Sequence, residues 1–288
     1  MNSWLVVDTS FVMNHSYYSR ALRDPKTAVV LTILDMQKLA VQFDAVGIAW
    51  VFDVKPYKRK ELFSGYKSAR DTKKYDENEL PLIEELKYHI TRMNSRYLEN
   101  LGYTNVFKQN GCEADDVIAS VCKAVSPEDR ITIVSRDHDL FQLITPRVSV
   151  YDPVSTRTIT VNSFRREYNL HPSEWPEVKA IAGCGTDSIP GVMGVAEKTA
   201  MKFVQGISVG PKKNKAIEQF QASPEYARNL KLVTLPYPGT EPVPALVRDG
   251  LIPLQAMVEL VEELERPSMV DLVNRMCREK RVPVNCVE

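Results

Sequence analysis

The chain has no apolar run long enough to cross a bilayer, and no basic segment followed by an apolar one at its start. We therefore expect a cytoplasmic protein with no membrane partner. Close Cys-x-x-Cys pairs are also missing. The five cysteines, Cys112, Cys122, Cys184, Cys277 and Cys286, are scattered and odd in number, which argues against a disulfide framework or a zinc site. No G-x-x-x-x-G-K-[ST] phosphate loop occurs, which removes a nucleotide-binding regulator from consideration. Internal repeats and low-complexity tracts are absent. Net charge is absent as well, with 37 Lys and Arg against 37 Asp and Glu.

Zero net charge does not exclude a nucleic-acid partner, because phosphate contacts depend on local patches. The charges here are segregated. From Lys55 to Lys74 there are eight Lys and Arg against two acids, Glu61 and Asp71, and the compensating acids cluster elsewhere.

At 288 residues the chain suits one α/β core with a smaller lobe. Short β-branched runs at Trp4–Val7, Val46–Phe52 and Ile131–Val134 alternate with helical patterns such as Thr27–Phe43 and Asp115–Val125. This alternation predicts a mainly parallel central sheet flanked by helices. Runs 147–152 and 157–161 read as a hairpin. An α-rich segment follows from about residue 163, with helices at 175–182, 196–204, 254–264 and 269–278. Gly210–Lys215 reads as a basic loop, and Pro236–Pro244 as an irregular crossing.

Ligands of such sheets bind beyond the carboxyl ends of the strands. Asp8 follows the first strand, Asp53 the second, and Asp137 with Asp139 the third, while Glu113, Asp115 and Asp116 open a helix near that edge. Helix capping accounts for one acid at a helix start. Seven converging carboxylates would repel one another unless a cation joined them. With only oxygen ligands, the pattern favours two Mg²⁺ ions, with Mn²⁺ as a substitute, and in-line displacement at a phosphodiester.

In the basic segment, Tyr66, Lys67 and Arg70 fit one helical face by their spacing. Lys67 and Arg70 are candidates to stabilise charge on a reacting phosphate, Tyr66 to stack on a base, and Arg59 to contact DNA. The alternative is a solvated amphipathic helix with Tyr66 packed inward. The glycine-rich run Gly183–Ala200 reads as helix, loop, helix. There Gly191, Gly194, Lys198 and Thr199 are candidate phosphate contacts, the alternative being a tight structural turn.

These blocks resemble the 5′-to-3′ exonuclease and flap endonuclease family in its bacterial and phage branch. The resemblance is carried by Val6-Val-Asp-Thr-Ser10, by Val51-Phe-Asp53 with Tyr66-Lys-Ser-Ala-Arg70, by Gly111-Cys-Glu-Ala-Asp-Asp-Val-Ile118, and by Ile133-Val-Ser-Arg-Asp-His-Asp-Leu140. The glycine-rich run is similar to that family's helix–three-turn–helix. The resemblance implies a PIN-like nuclease core over 1–162 with a helical arch at about 66–110. It also implies a helical lobe over 163–288 whose DNA-binding hairpin spans about 175–205. It adds Asp187 to the metal-site positions, K⁺ at the hairpin, and a bacterial or phage-infected host. Expected partners are DNA with a 5′ flap, nick or free 5′ end, an RNA–DNA hybrid as a further substrate, and a polymerase or single-strand-binding protein. The protein itself is expected to be a monomer. Cys184 stands where that family usually has an acid, His15 where it has an arginine, and His138 where it has a lysine. The rival reading is a branched-DNA-binding protein with weak or no nuclease activity because of Cys184. A small acidic ribonuclease is a further rival.

Overall fold

The computed structural model describes residues 1–19, 23–71, 76–248, 252–278 and 284–285. Lys73, Lys74 and Cys286, which the sequence reading used, lie outside the described residues.

The chain opens with β1 (Ser3–Asp8), α1 (Thr9–Tyr18), α2 (Pro25–Gln42) and β2 (Ala45–Val51). Short helices α3 (Tyr57–Leu62) and α4 (Ser68–Asp71) follow, then α5 (Leu80–Arg92), α6 (Leu98–Asn100) and β3 (Val106–Phe107). Next come α7 (Ala114–Ala124), β4 (Arg130–Val134), β5 (Val148–Asp152) and β6 (Arg157–Ile159). The six strands form one sheet in the order β3-β2-β1-β4-β5-β6, parallel except where β6 turns back along β5. The hairpin read from the sequence is therefore this last pair.

Side chains alternate across the sheet as a two-residue period requires. Leu5 and Val7 point into a cluster with α1, α2 and α5, while Trp4 and Val6 point into one with α7, Phe164 and Trp175. Each large side chain removed from water contributes roughly 2–3 kcal/mol against the entropy of ordering the chain. Both faces are covered, so β1 reads as an unbroken apolar run from Trp4 to Val7, and β4 is apolar from Ile131 to Val134 except for the buried Thr132.

The remaining helices are α8 (Val161–Tyr168), α9 (Trp175–Ala182), α10 (Glu197–Val204), α11 (Pro211–Gln221) and α12 (Pro224–Val233). Between α9 and α10 lies a small ladder, β7 (Gly183–Cys184) against β8 (Ile189–Pro190). Phe164, Trp175, Ile181 and Ile217 join the same cluster as Val6 and Ile133, so the core does not divide at residue 162. Beyond it are β9 (Ile252–Pro253), α13 (Leu254–Glu263), α14 (Val270–Arg278) and β10 (Val284–Asn285). Met257, Val261 and Val273 return to the α1–α2–α5 cluster.

Two expectations change. Gly210–Lys215 is not a loop, because Pro211 takes the first helical position and starts α11. In the arch segment, α5 and the turns after it lie on the core, with Leu86, Met93, Tyr97 and Leu98 buried there.

Candidate active site

The register Val7↔Trp50 and Val7↔Val134 aligns the carboxyl ends of β1, β2 and β4. This brings Asp8, Asp53 and Asp137 to one edge. Asp8 ends β1 and caps α1, its carboxylate accepting from the Phe11 amide at 3.0 Å and the Ser135 hydroxyl at 3.0 Å. Asp53 accepts from the Ala114 amide at 2.9 Å, which ties the second strand to the start of α7. Asp137 accepts from the Asp139 amide at 2.8 Å and caps the turn His138–Leu143.

The proton affinities report the crowding. Burial, then the charge of Asp53, pushes the Asp8 carboxyl up to about 7. Burial, then Asp137, Asp8 and Asp53, raises Asp115 well above the ordinary carboxylate range. A helix N-terminus favours a carboxylate by about 0.3–1 kcal/mol, and desolvation with three like charges exceeds that. Among the described residues no donor reaches the Asp115 carboxylate.

Glu113, at the head of α7, is held from three directions. The Tyr66 hydroxyl donates to it at 2.5 Å, Lys67 pairs with it, and the Arg59 guanidinium lies 3.4 Å away. Lys67 is not on a helical face with Tyr66 and Arg70. It sits in the left-handed region (φ 56°), its amide donating to the Asp187 carbonyl at 2.8 Å, and α4 starts only at Ser68. Arg70 reaches the Asp187 carboxylate at 2.9 Å. Burial raises the Asp187 carboxyl despite Lys67 and Arg70.

Three assignments are corrected by burial. Asp116 is fully enclosed (0% exposed). Its oxygens are taken by both Arg59 terminal nitrogens, the Tyr237 amide at 2.8 Å and the Glu113 amide at 3.1 Å. No lone pair is left for a metal, so Asp116 supports the site without lining it. Arg59, 2% exposed, is its counter-ion rather than a DNA contact. Tyr66, 3% exposed, offers no free face for a base; its inward packing is the alternative the sequence left open.

Lys179 on α9 escaped the sequence reading. It reaches Asp139 at 2.9 Å and Glu197 at 3.5 Å. Burial lowers its proton affinity, but Asp139 outweighs burial and holds it above the usual lysine range. The one available signal was a basic residue within the helix leading into the glycine-rich turn. In that turn a Cβ on Gly191 would lie 2.2 Å from the Ala182 carbonyl, so this glycine serves the close approach of α9 and β8. Gly194 needs its positive φ of 74°. Lys198 is exposed and Thr199 half-buried, while Met193, unremarked in the sequence, is 97% exposed. Cys184 is half-buried, its thiol 3.1 Å from the Thr186 hydroxyl. The three cysteines with described side chains are free. His15 stacks on Phe11 and His138 on Phe141.

A gap of about 20 Å³ remains among Lys67, Glu113, Asp115, Asp137, Asp139 and Asp187. It is too small for a nucleotide and suits a water or an ion. Among the described residues no three acids, histidines or cysteines already converge as a metal cage, and Lys67, Arg70 and Lys179 pair with Glu113, Asp187 and Asp139. The donor chemistry itself fits hard divalent cations. Among the described residues no helix is long and apolar enough to cross a membrane.

Residues 3–169 match the family described as 5′-3′ exonuclease, N-terminal resolvase-like domain. The chain is 35% identical over 169 residues to the thermostable DNA polymerase I of Thermus aquaticus, covering 58% of this chain and 19% of that protein. It thus spans less than a fifth of the polymerase's length. To the 5′-3′ exonuclease of Mycoplasmopsis pulmonis it is 30% identical over 215 residues, covering 70% of this chain and 65% of that one. Its fold matches the T5 D15 protein co-crystallised with metal ions (TM-score 0.70, 21% identity, 97% of this chain and 100% of that one). It also matches human GEN1 in complex with Holliday junction DNA (TM-score 0.58, 14% identity, 98% of this chain and 75% of that one).

Proposed function

The chain belongs to the 5′-3′ exonuclease family, and from that premise we infer that it hydrolyses phosphodiester bonds near the 5′ end of nicked, flapped or free-ended DNA. The observation that carries this reading is the meeting of Asp8, Asp53, Asp115 and Asp137 at one sheet edge, where burial and neighbouring carboxylates raise the proton affinities of Asp8, Asp115 and Asp137. Such crowding is costly without a cation and suited to one.

Asp8, Asp53, Glu113, Asp115, Asp137, Asp139 and Asp187 are the carboxylates that would hold divalent cations, with Mg²⁺ the expected metal and Mn²⁺ a substitute. Bound there, the cations supply Lewis acidity at the scissile phosphate and at the water that attacks it. In the metal-free protein Lys67, Arg70 and Lys179 offset three of these seven carboxylates. Tyr66 and Arg59 keep Glu113 fixed. Lys67 and Arg70, on the rim, are placed to donate to phosphate oxygens as charge develops on them. The glycine-rich hairpin, with Lys198 exposed beside Gly194, would hold the downstream duplex through its backbone, K⁺ being the expected ion there. An RNA–DNA hybrid as a further substrate, a polymerase or single-strand-binding partner, and action as a cytoplasmic monomer are parts of the same proposal.

The test is cleavage of a 5′-labelled flap duplex in Mg²⁺ and in EDTA, beside an Asp115→Asn control. Metal-dependent cutting near the junction, lost in the control, supports the reading. Tight flap binding without cutting in either Mg²⁺ or Mn²⁺ would overturn it.

A further inference from the structure

Among the described residues, Lys67, Arg70 and Lys179 at the acidic rim are each engaged by a carboxylate. Lys67 pairs with Glu113 and stands 3.6 Å from Asp187, and Arg70 lies 2.9 Å from Asp187. Lys179 lies 2.9 Å from Asp139. The Lys179 contact is the informative one. Asp139 Oδ1 is sealed from water, and the Lys179 ammonium is the one cationic group that faces it among the described residues. A buried carboxylate oxygen must keep a cationic partner, and a divalent cation meets that need more strongly than an ammonium does. Lys179 also has a second partner ready. Glu197, in the first turn of α10, is 3.5 Å away and more exposed than Asp139.

We propose that Lys179 is an exchangeable counter-ion. It neutralises Asp139 in the metal-free protein, leaves when a divalent cation takes that oxygen, and then turns toward Glu197 and the DNA phosphates held by the hairpin. This rests on the nuclease reading of the same site. The physical basis is competition. A divalent cation held by that carboxylate oxygen would repel an ammonium on the same oxygen. The released ammonium sits on α9, the helix that leads into the glycine-rich turn, so its new position is on the duplex side of the site. Metal binding and DNA binding then strengthen each other by the same factor, because linkage is reciprocal. Lys67 and Arg70 can follow the same exchange at Glu113 and Asp187, but Lys179 separates it from transition-state chemistry.

The experiment is titration of the DNA-free protein with Mn²⁺, followed by the free-ion electron spin resonance signal, for the wild type, Lys179→Ala and Lys179→Gln. Thermal melting of each confirms that it is folded, and the Gln variant guards against a packing defect in the Ala one. Removing the internal competitor should tighten Mn²⁺ binding about fivefold or more. A flap duplex with a non-hydrolysable linkage at the junction supplies the second readout. Mn²⁺ should tighten its binding to the wild type, and less so to both variants. Unchanged or weaker Mn²⁺ binding in both folded variants would overturn the exchange and leave the nuclease reading intact. Absence of Mn²⁺ binding in the wild type would overturn both.

Discussion

Arg59 and Asp116 form a two-point ion pair beneath the acidic rim, with side chains 3% and 0% exposed. The pair joins α3 to α7, and the Arg59 Nε donates to the Leu232 carbonyl at 3.0 Å, which adds α12. Arg59→Ala strands a buried carboxylate and should cost about 3–5 kcal/mol. Chemical denaturation in EDTA measures this. The double variant Arg59→Met, Asp116→Leu should recover much of the loss, since a packed apolar pair escapes the desolvation cost. If Arg59→Ala were as stable as the wild type, the pair could not be what anchors α7.

The crowded acids give the metal-free protein an unusual pH response. Asp8 is pushed up to about 7, while in an unfolded chain it titrates near 4. Between those values the folded state binds more protons, so stability falls as pH rises from about 4 to 7. Asp115 acts in the same direction. Asp24 acts in the opposite one. Burial raises it, but hydrogen bonds from Arg266 and Thr27 win and hold it at about 2, so its contribution is lost only as pH falls from about 4 toward 2. Melting temperature in EDTA should therefore decline from pH 5 to pH 7.5, and saturating Mn²⁺ should flatten or reverse the decline. A flat EDTA profile would show that neither burial nor mutual repulsion raises these acids.

Gly191→Ala and Gly185→Ala form a matched pair. The first places a methyl group 2.2 Å from the Ala182 carbonyl, and the second meets nothing within 4 Å. Gly191→Ala should lose about 2 kcal/mol or more of stability. It should also weaken duplex binding, because α9 and α10 can no longer keep their spacing. Gly185→Ala should change neither by a comparable amount. Thermal melts and duplex affinities of the two variants decide it.

The strand-end acids were legible in the sequence because parallel strands deliver their last residues to one edge, whatever the helices between them do. The glycine-rich hairpin was legible for a similar local reason. Arg59 and Asp116 were misassigned because they pair across 57 positions, and no local pattern tells a solvated basic residue from a buried counter-ion. Lys67 was placed on a helix by its spacing from Tyr66 and Arg70. The chain instead bends there, with a positive φ at Lys67 that spacing cannot reveal. Lys179 was overlooked because its meaning depends on Asp139, which a different element presents.

Tyr66 allows the sharpest test of structure against sequence pattern. If its ring stacked on a base, Tyr66→Phe would keep the face and change little. The structure buries the ring and aims its hydroxyl at Glu113. Removing that hydroxyl takes away one hydrogen bond to a charged group, worth about 1.5–3 kcal/mol. Tyr66→Phe should therefore lower the single-turnover cleavage rate at least about tenfold, with flap affinity in EDTA nearly unchanged. Tyr66→Ala should add a loss of stability, because the ring packs with Ile189, Leu232 and Tyr237. A Tyr66→Phe protein that cuts at the full rate would show that Lys67 and Arg59 hold Glu113 without help. A variant that cuts normally at saturating DNA but binds the flap poorly would return Tyr66 to the substrate.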